Sequence, residues 1–278
     1  MNDPHVVMLV YKIEYNKSII DYSKAEPFYR NEQRFRLSVA EGVARFELKD
    51  HYPTIDKAHK AIADYRRTWE FDAQLKRGPG SFHLILDRAK SKLIDRKPTP
   101  GCKDLRASIT AGTPSFSANL APPRPPEYPM PPSDIKLKAD IWTMHGRYMK
   151  YKEGHELLGS MAYFCLSMLE DPPSQSSEQR KPSNKRRVAA KKFAIDEWVL
   201  SKIGHLSSTK GEEHARKRAG TGQPLSPEEY NFLVQAVKAI IRRAAEREYM
   251  PEDDLPKILR SSLPPLENDS ESDSNTTK

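Results

Sequence analysis

The sequence predicts an α+β chain: a mixed or antiparallel sheet with one main helix in front, and a bundle of three to five helices behind. Three observations carry this. Early apolar runs alternate with period two, while beyond residue 140 they recur at spacings of three and four. Between these lies Pro122–Pro132, where seven of eleven residues are proline. No helix or central strand survives that density, because each proline removes a backbone donor. The expected division is an α+β domain over 1–120, a proline-rich linker over 121–135, a helical domain over 136–265 and an acidic, Ser-rich disordered tail over 266–278.

Val6–Tyr15 reads as a strand buried on both faces at its start and on one face at its end. Phe35–Val39 and Val43–Leu48 alternate around a turn at Gly42 and predict a hairpin. Thr54 can cap a helix running to about Arg77, whose stripe is Ile55, Ala58, Ile62, Tyr65 and Trp69. Arg77-Gly78-Pro79-Gly80 stops it, and Ser81–Leu86 resumes as a strand. Leu93–Ile94 and Leu105–Ile109 offer short edge strands.

Behind the proline run, Ile141, Met144, Tyr148, Tyr151, His155, Leu158, Ala162, Cys165 and Leu169 step by threes and fours and predict one helix over 141–169. Its first half carries Trp142, Tyr148 and Tyr151 with few local partners. That predicts packing on the first domain, a second copy or a partner protein. A second helix is expected over about 186–204. Ser226-Pro227-Glu228-Glu229 announces a third, with a capping serine, proline in the first turn and a glutamate able to reach back. Arg242, Arg243 and Arg247 crowd its last turns, where positive charge suits the helix dipole. Short extra helices are expected at Glu212–Ala219 and Asp254–Leu259.

The chain has 278 residues and a net charge of +8. Residues 180–218 hold 12 basic and 4 acidic residues. Arg180, Lys181, Lys185, Arg186, Arg187, Lys191 and Lys192 form the dense part, and Arg216, Lys217 and Arg218 follow. Such clusters suit a polyanion, nucleic acid among them, through phosphate contacts of low sequence specificity. No helix-turn-helix spacing, zinc-finger ligand set or aromatic-basic sheet motif accompanies them.

Catalytic signatures are missing. The eight histidines form no His-Glu-x-x-His pair, no Gly-x-Ser-x-Gly elbow occurs, and the glycines at 78 and 80 follow a helix rather than a strand. Two cysteines build neither a disulfide scaffold nor a cysteine zinc site. Cys165 reads as an inert buried thiol, and Cys102, beside Lys103, as a weak nucleophile candidate. No cofactor and no metal are expected. No apolar run reaches the roughly 20 residues of a membrane span, so a soluble cytoplasmic protein is expected. The function that follows is a binding or regulatory module contacting a polyanion through 180–218. Two alternatives stand beside it: an enzyme with a pocket near Tyr151 and His155, and a structural protein–protein adaptor.

Overall fold

The structure is a computed structural model describing residues 3–95, 127–170, 185–210 and 223–266. It has the expected class, a sheet with helices followed by a helical bundle. The chain forms two compact units, Met1–Glu70 with Gly80–Met130, and Phe71–Pro79 with Pro131–Lys278. The segments 171–184 and 211–222, the tail from 267, Cys102 and Leu105–Ile109 lie outside the described residues.

The first unit is built on strands β1 (Pro4–Glu14), β2 (Phe28–Asn31), β3 (Phe35–Ala40), β4 (Val43–Leu48), β5 (His83–Leu86) and β6 (Lys92–Asp95). Their order is β2-β3-β4-β1-β5, with β6 on the first half of β1. Every pairing is antiparallel. The β3–β4 hairpin closes with Ala40 opposite Val43. Its two turn residues, Glu41 and Gly42, both have positive φ, 53° and 70°. That geometry matches the right-handed strand twist and favours glycine. Strand β2 was not legible beforehand; it is four residues long and alternates half-buried with exposed positions.

Helices α1 (Ile55–Ala61) and α2 (Ala63–Arg77) replace the single expected helix, with the break at Ile62. Thr54 caps α1 by accepting from Lys57 N–H at 3.2 Å. Both helices cover one face of the sheet. Tyr65 packs edge-on to Phe35 and Phe46, Trp69 lies 4.8 Å from Phe82, and His59 stacks on Tyr11. Glu70 accepts the N–H of Leu84 at 2.8 Å. This occupies a backbone donor of edge strand β5 that would otherwise invite another strand. The described end of the proline run is packed rather than bare. Tyr128 is buried on Tyr22, its hydroxyl accepts from Gly42 N–H at 2.8 Å, and Trp69 Nε1 donates to the Pro129 carbonyl at 2.7 Å.

The second unit contains α3 (Ala139–Lys152), α4 (Leu158–Glu170), α5 (Lys185–Lys192), α6 (Glu197–Thr209) and α7 (Pro227–Arg247). The expected helix over 141–169 is therefore two helices. Gly154, at φ 77°, ends α3. Its N–H donates to Tyr151 and that of His155 to Lys150, at 3.0 and 2.8 Å. This pair closes a left-handed cap that satisfies the last carbonyls, and only glycine adopts it without strain. The apolar steps carry through the break by coincidence of spacing, so periodicity alone could not reveal it.

The expected helix over 186–204 is likewise split. Ala194, at φ 48°, repeats the same cap, with Ala194 N–H donating to Lys191 and Ile195 N–H to Ala190. The start of α7 is as expected: Ser226 Oγ accepts from Glu229 N–H, and Glu229 accepts from Ser226 N–H at 3.0 Å. In place of a helix at 254–259, short 3-10 turns occupy Glu252–Asp254 and Arg260–Ser262.

The core of this unit gathers Met161, Cys165 and Leu166 of α4 with Val199 and Ile203 of α6 and Phe232, Val237 and Ile240 of α7. Burial pushes the Cys165 thiol pKa upward, as expected of an inert thiol. Phe71 and Leu75 join this core. Phe71 lies against Trp142 and His145. The aromatic stripe on the first half of α3 is thus met by residues just after Glu70. No helix among the described residues is long and apolar enough to cross a membrane.

Candidate functional site

Helix α5 holds the described part of the dense cluster at 180–192. Its Ala189 and Ala190 are buried, and its cations divide into two sets. Arg186 belongs to the fold. Its Nε donates to Glu170 at 2.8 Å, and its guanidinium lies so close to Gly204 that an added Cβ would come within 2.8 Å. Lys185 and Lys192 are half-buried, and the Lys192 ammonium sits 5.2 Å from the centre of the Phe193 ring. These three expected polyanion contacts are therefore partly taken up by the protein itself. The neighbours of α5 engage Arg186 from two sides, through Glu170 of α4 and Gly204 of α6. Arg180, Lys181, Arg216, Lys217 and Arg218 lie outside the described residues.

Arg187 and Lys191, one turn apart, are exposed and have no ion-pair partner among the described residues. They border a shallow hollow of about 400 Å³ formed with Ala194, Ile195, Glu197 and Lys257. Lys257 is also exposed and forms no ion pair with a described residue. It was missed from the sequence because it lies 66 positions beyond Lys191. The chain brings it back by pairing Ile258 with Ile195: Ile258 N–H donates to the Ala194 carbonyl and Asp196 N–H to the Ile258 carbonyl, both at 2.9 Å. Three cations and one carboxylate thus surround a hollow whose floor contains a strained backbone residue, Ala194. Such a rim attracts a phosphate-bearing surface and carries no nucleophile and no acid–base pair.

The pocket expected at Tyr151 and His155 takes a different form. The Tyr151 hydroxyl is engaged with that of Tyr230. His155 follows the α3 cap on the surface, with its side chain 72% exposed and Nδ1 3.6 Å from Glu153. The expectation of a buried His155 fails because the helix ends at Gly154 and the stripe no longer includes position 155.

The buried histidine is His145, 3% exposed between Phe71 and Trp142. Its Nε2 has no hydrogen-bond partner. Burial pushes its pKa down to about 4, so it is neutral at pH 7. Its spacing of four from Ile141 and three to Tyr148 was the available signal.

A second titratable group lies in the first unit. Tyr11 Oη and His59 Nδ1 are 2.8 Å apart, and Arg66 stands over the Tyr11 ring. Burial pushes Tyr11 up to about 12 and holds His59 below its usual value. Both groups are therefore locked in their neutral forms near pH 7. In the second unit, a cleft of about 600 Å³ beside α7 is lined by Leu75, Gln235, Lys238, Arg242 and Leu263, among others. Burial, then nearby Lys152, lowers the Lys238 pKa. Among the described residues no group of three His, Cys, Asp or Glu side chains is placed to hold a metal.

Comparison with known protein families, with curated proteins and with solved structures found no match.

Proposed function

We propose that this protein is a non-catalytic binding or regulatory module that contacts a polyanion, nucleic acid foremost, through the outer face of α5. The observation that supports it is the group Arg187, Lys191 and Lys257: three exposed cations around one hollow that form no ion pair with a described residue. Near Arg187 and Lys191 in sequence, Arg180, Lys181 and Arg216–Arg218 add charge to the same segment. Contacts of this kind position a phosphate backbone without reading bases, so sequence specificity is low.

The test is fluorescence anisotropy against a labelled duplex and a labelled single strand at about 50 and 200 mM salt. Affinity should fall with salt, with a log–log slope of about 0.9 per duplex phosphate neutralised. The triple variant R187Q/K191Q/K257Q should lose most duplex binding and melt at the parent temperature. Lys185, Arg186 and Lys192 are left in place because they serve the fold. No binding at the lower salt, or binding indifferent to the triple variant, would end this reading.

A further inference from the structure

The sheet face turned away from α1 and α2 carries an arrangement that no single stretch of sequence displays. Register places Tyr29 of β2 opposite Ser38 of β3, and Ser38 opposite Arg45 of β4. The next row is Asn31, Arg36 and Glu47. These residues alternate with Phe28, Leu37, Val39, Ala44 and Phe46, the last four buried and all on the helix-covered side. Side chains of a strand alternate between faces, so the two rows share the face that no described helix covers. A hollow of about 440 Å³ lies there, with Tyr29, Arg36, Ser38 and Glu47 on its wall.

Tyr29 is the anomaly. It is 71% exposed. Each other described Phe, Tyr or Trp of this unit makes a ring contact or a hydrogen bond; even Tyr52, which stacks on nothing, is bonded to Arg34 and Asp50. Tyr29 makes neither. The arginines show the same contrast. Arg30, Arg34, Arg66 and Arg88 are paired with Glu32, Asp50, Glu70 and Asp56. Arg36 and Arg45, like Arg67 on α2, form no ion pair with a described residue, although Glu47 stands opposite Arg36 in the register. Lys49, at the end of the same rows, donates to Asn31 at 2.8 Å and has no acid. Among the described residues the face thus offers one aromatic ring without a contact, two arginines without an ion pair, a lysine already bonded to Asn31 and the Glu32 carbonyl, and one carboxylate.

We infer that this face binds single-stranded nucleic acid, with a base stacked on Tyr29 and phosphates held by Arg36 and Arg45. Neighbouring strands are about 4.8 Å apart, so Tyr29 and Arg45 stand about 10 Å apart across β3. A stacking ring flanked by cations is the general solution for unpaired bases, because every base has a face to stack and every nucleotide a phosphate. In a duplex the base faces are already stacked inside, so the ring selects single strands. The inference stands apart from the α5 reading, since the two surfaces share no residue.

The experiment uses the full chain with fluorescein-labelled oligothymidine of about 12 nucleotides and, in parallel, a labelled duplex. Tyr29→Ala should weaken oligothymidine binding by roughly 5- to 100-fold and leave duplex binding unchanged. Tyr29→Phe should keep parental affinity, since stacking needs the ring and not the hydroxyl. Arg36→Gln and Arg45→Gln should each lower the single-strand salt slope by about 0.7. A Tyr29→Ala protein that melts like the parent and binds oligothymidine as tightly would overturn the inference, as would an equal loss on duplex. R187Q/K191Q/K257Q separates the two surfaces. If it leaves all binding intact while Tyr29→Ala removes the single-strand signal, the α5 reading fails and this one stands. If it removes all binding while Tyr29→Ala changes nothing, this one fails.

Discussion

Helices α5 and α7 both carry runs of basic residues, and the two runs meet opposite surroundings. On α7, Arg242 is bonded to Asp72, to Asp134 at 2.8 Å and to Glu246 at 2.9 Å. Arg243 donates to Glu246 and to the Phe193 carbonyl, and Arg247 to the carbonyls of Lys192 and Met250. On α5, Arg187 and Lys191 form no ion pair with any described residue. A charge count treats the two helices alike. What separates them is whether folding brings a carboxylate within reach, and that carboxylate can be far away: Asp72 is 170 positions from Arg242. Cations already bonded inside the protein hold the fold together, and cations left without partners are the ones available to a ligand.

The comparison is broken most directly at Asp72, whose side chain is 1% exposed. Asp72→Ala removes the most buried of three acids on Arg242, which keeps Asp134 and Glu246, so the loss should be that of a charged hydrogen bond, about 1.5–3 kcal/mol. Urea unfolding should show that loss; a cost below about 1 kcal/mol would mean that Arg242 is as free as Arg187.

A smaller effect comes from His145, also buried in the helical unit. Its folded pKa of about 4 lies below the ordinary 6.5, so the unfolded chain binds the proton more readily. Stability is therefore full above about pH 6.5 and declines as pH falls towards 4. Between pH 7 and 5 this group should remove about 2 kcal/mol. Urea unfolding at both pH values measures it, with His145→Leu as the reference that lacks this slope. Equal slopes for parent and variant would mean that His145 is not held neutral.

The caps set the next scale. Ser226→Ala should destabilise α7 by about 1 kcal/mol, read from thermal melting. Ala194→Gly should stabilise the α5–α6 connection by about 0.5–1 kcal/mol, because glycine has no Cβ to strain at positive φ. The smallest expected effect is the sharpest contrast with Asp72. R187Q/K191Q/K257Q should change unfolding free energy by less than about 0.5 kcal/mol, while removing the charges proposed to meet the polyanion. A large loss of stability would show that α5 is no freer than α7.

Much of the fold was legible. The α7 start could be read because a capping box is local: Ser226 and Glu229 need only each other. The β3–β4 hairpin was legible for the same reason, its turn and alternation lying within 14 residues. The breaks at Ile62, Gly154 and Ala194 were not, since apolar spacing continued across each of them. The candidate surfaces were legible only in part. Arg187 and Lys191 stood out as charge, but nothing nearby distinguished them from Arg186, whose partner Glu170 belongs to another helix.

Local chemistry in the sequence determined the two kinds of secondary structure, the hairpin turn, the α7 cap and the basic character of residues 180–218. Those features depend on neighbours within a few positions, which the sequence lists side by side. Tertiary structure alone decided which cations stay unpaired, that Lys257 joins Arg187 and Lys191, that His145 rather than His155 is buried, and that Tyr29, Arg36 and Arg45 share one open face. Each of these depends on strand register or helix packing between positions far apart in the chain. Burial and ion pairing are properties of such distant neighbours, and composition does not record them.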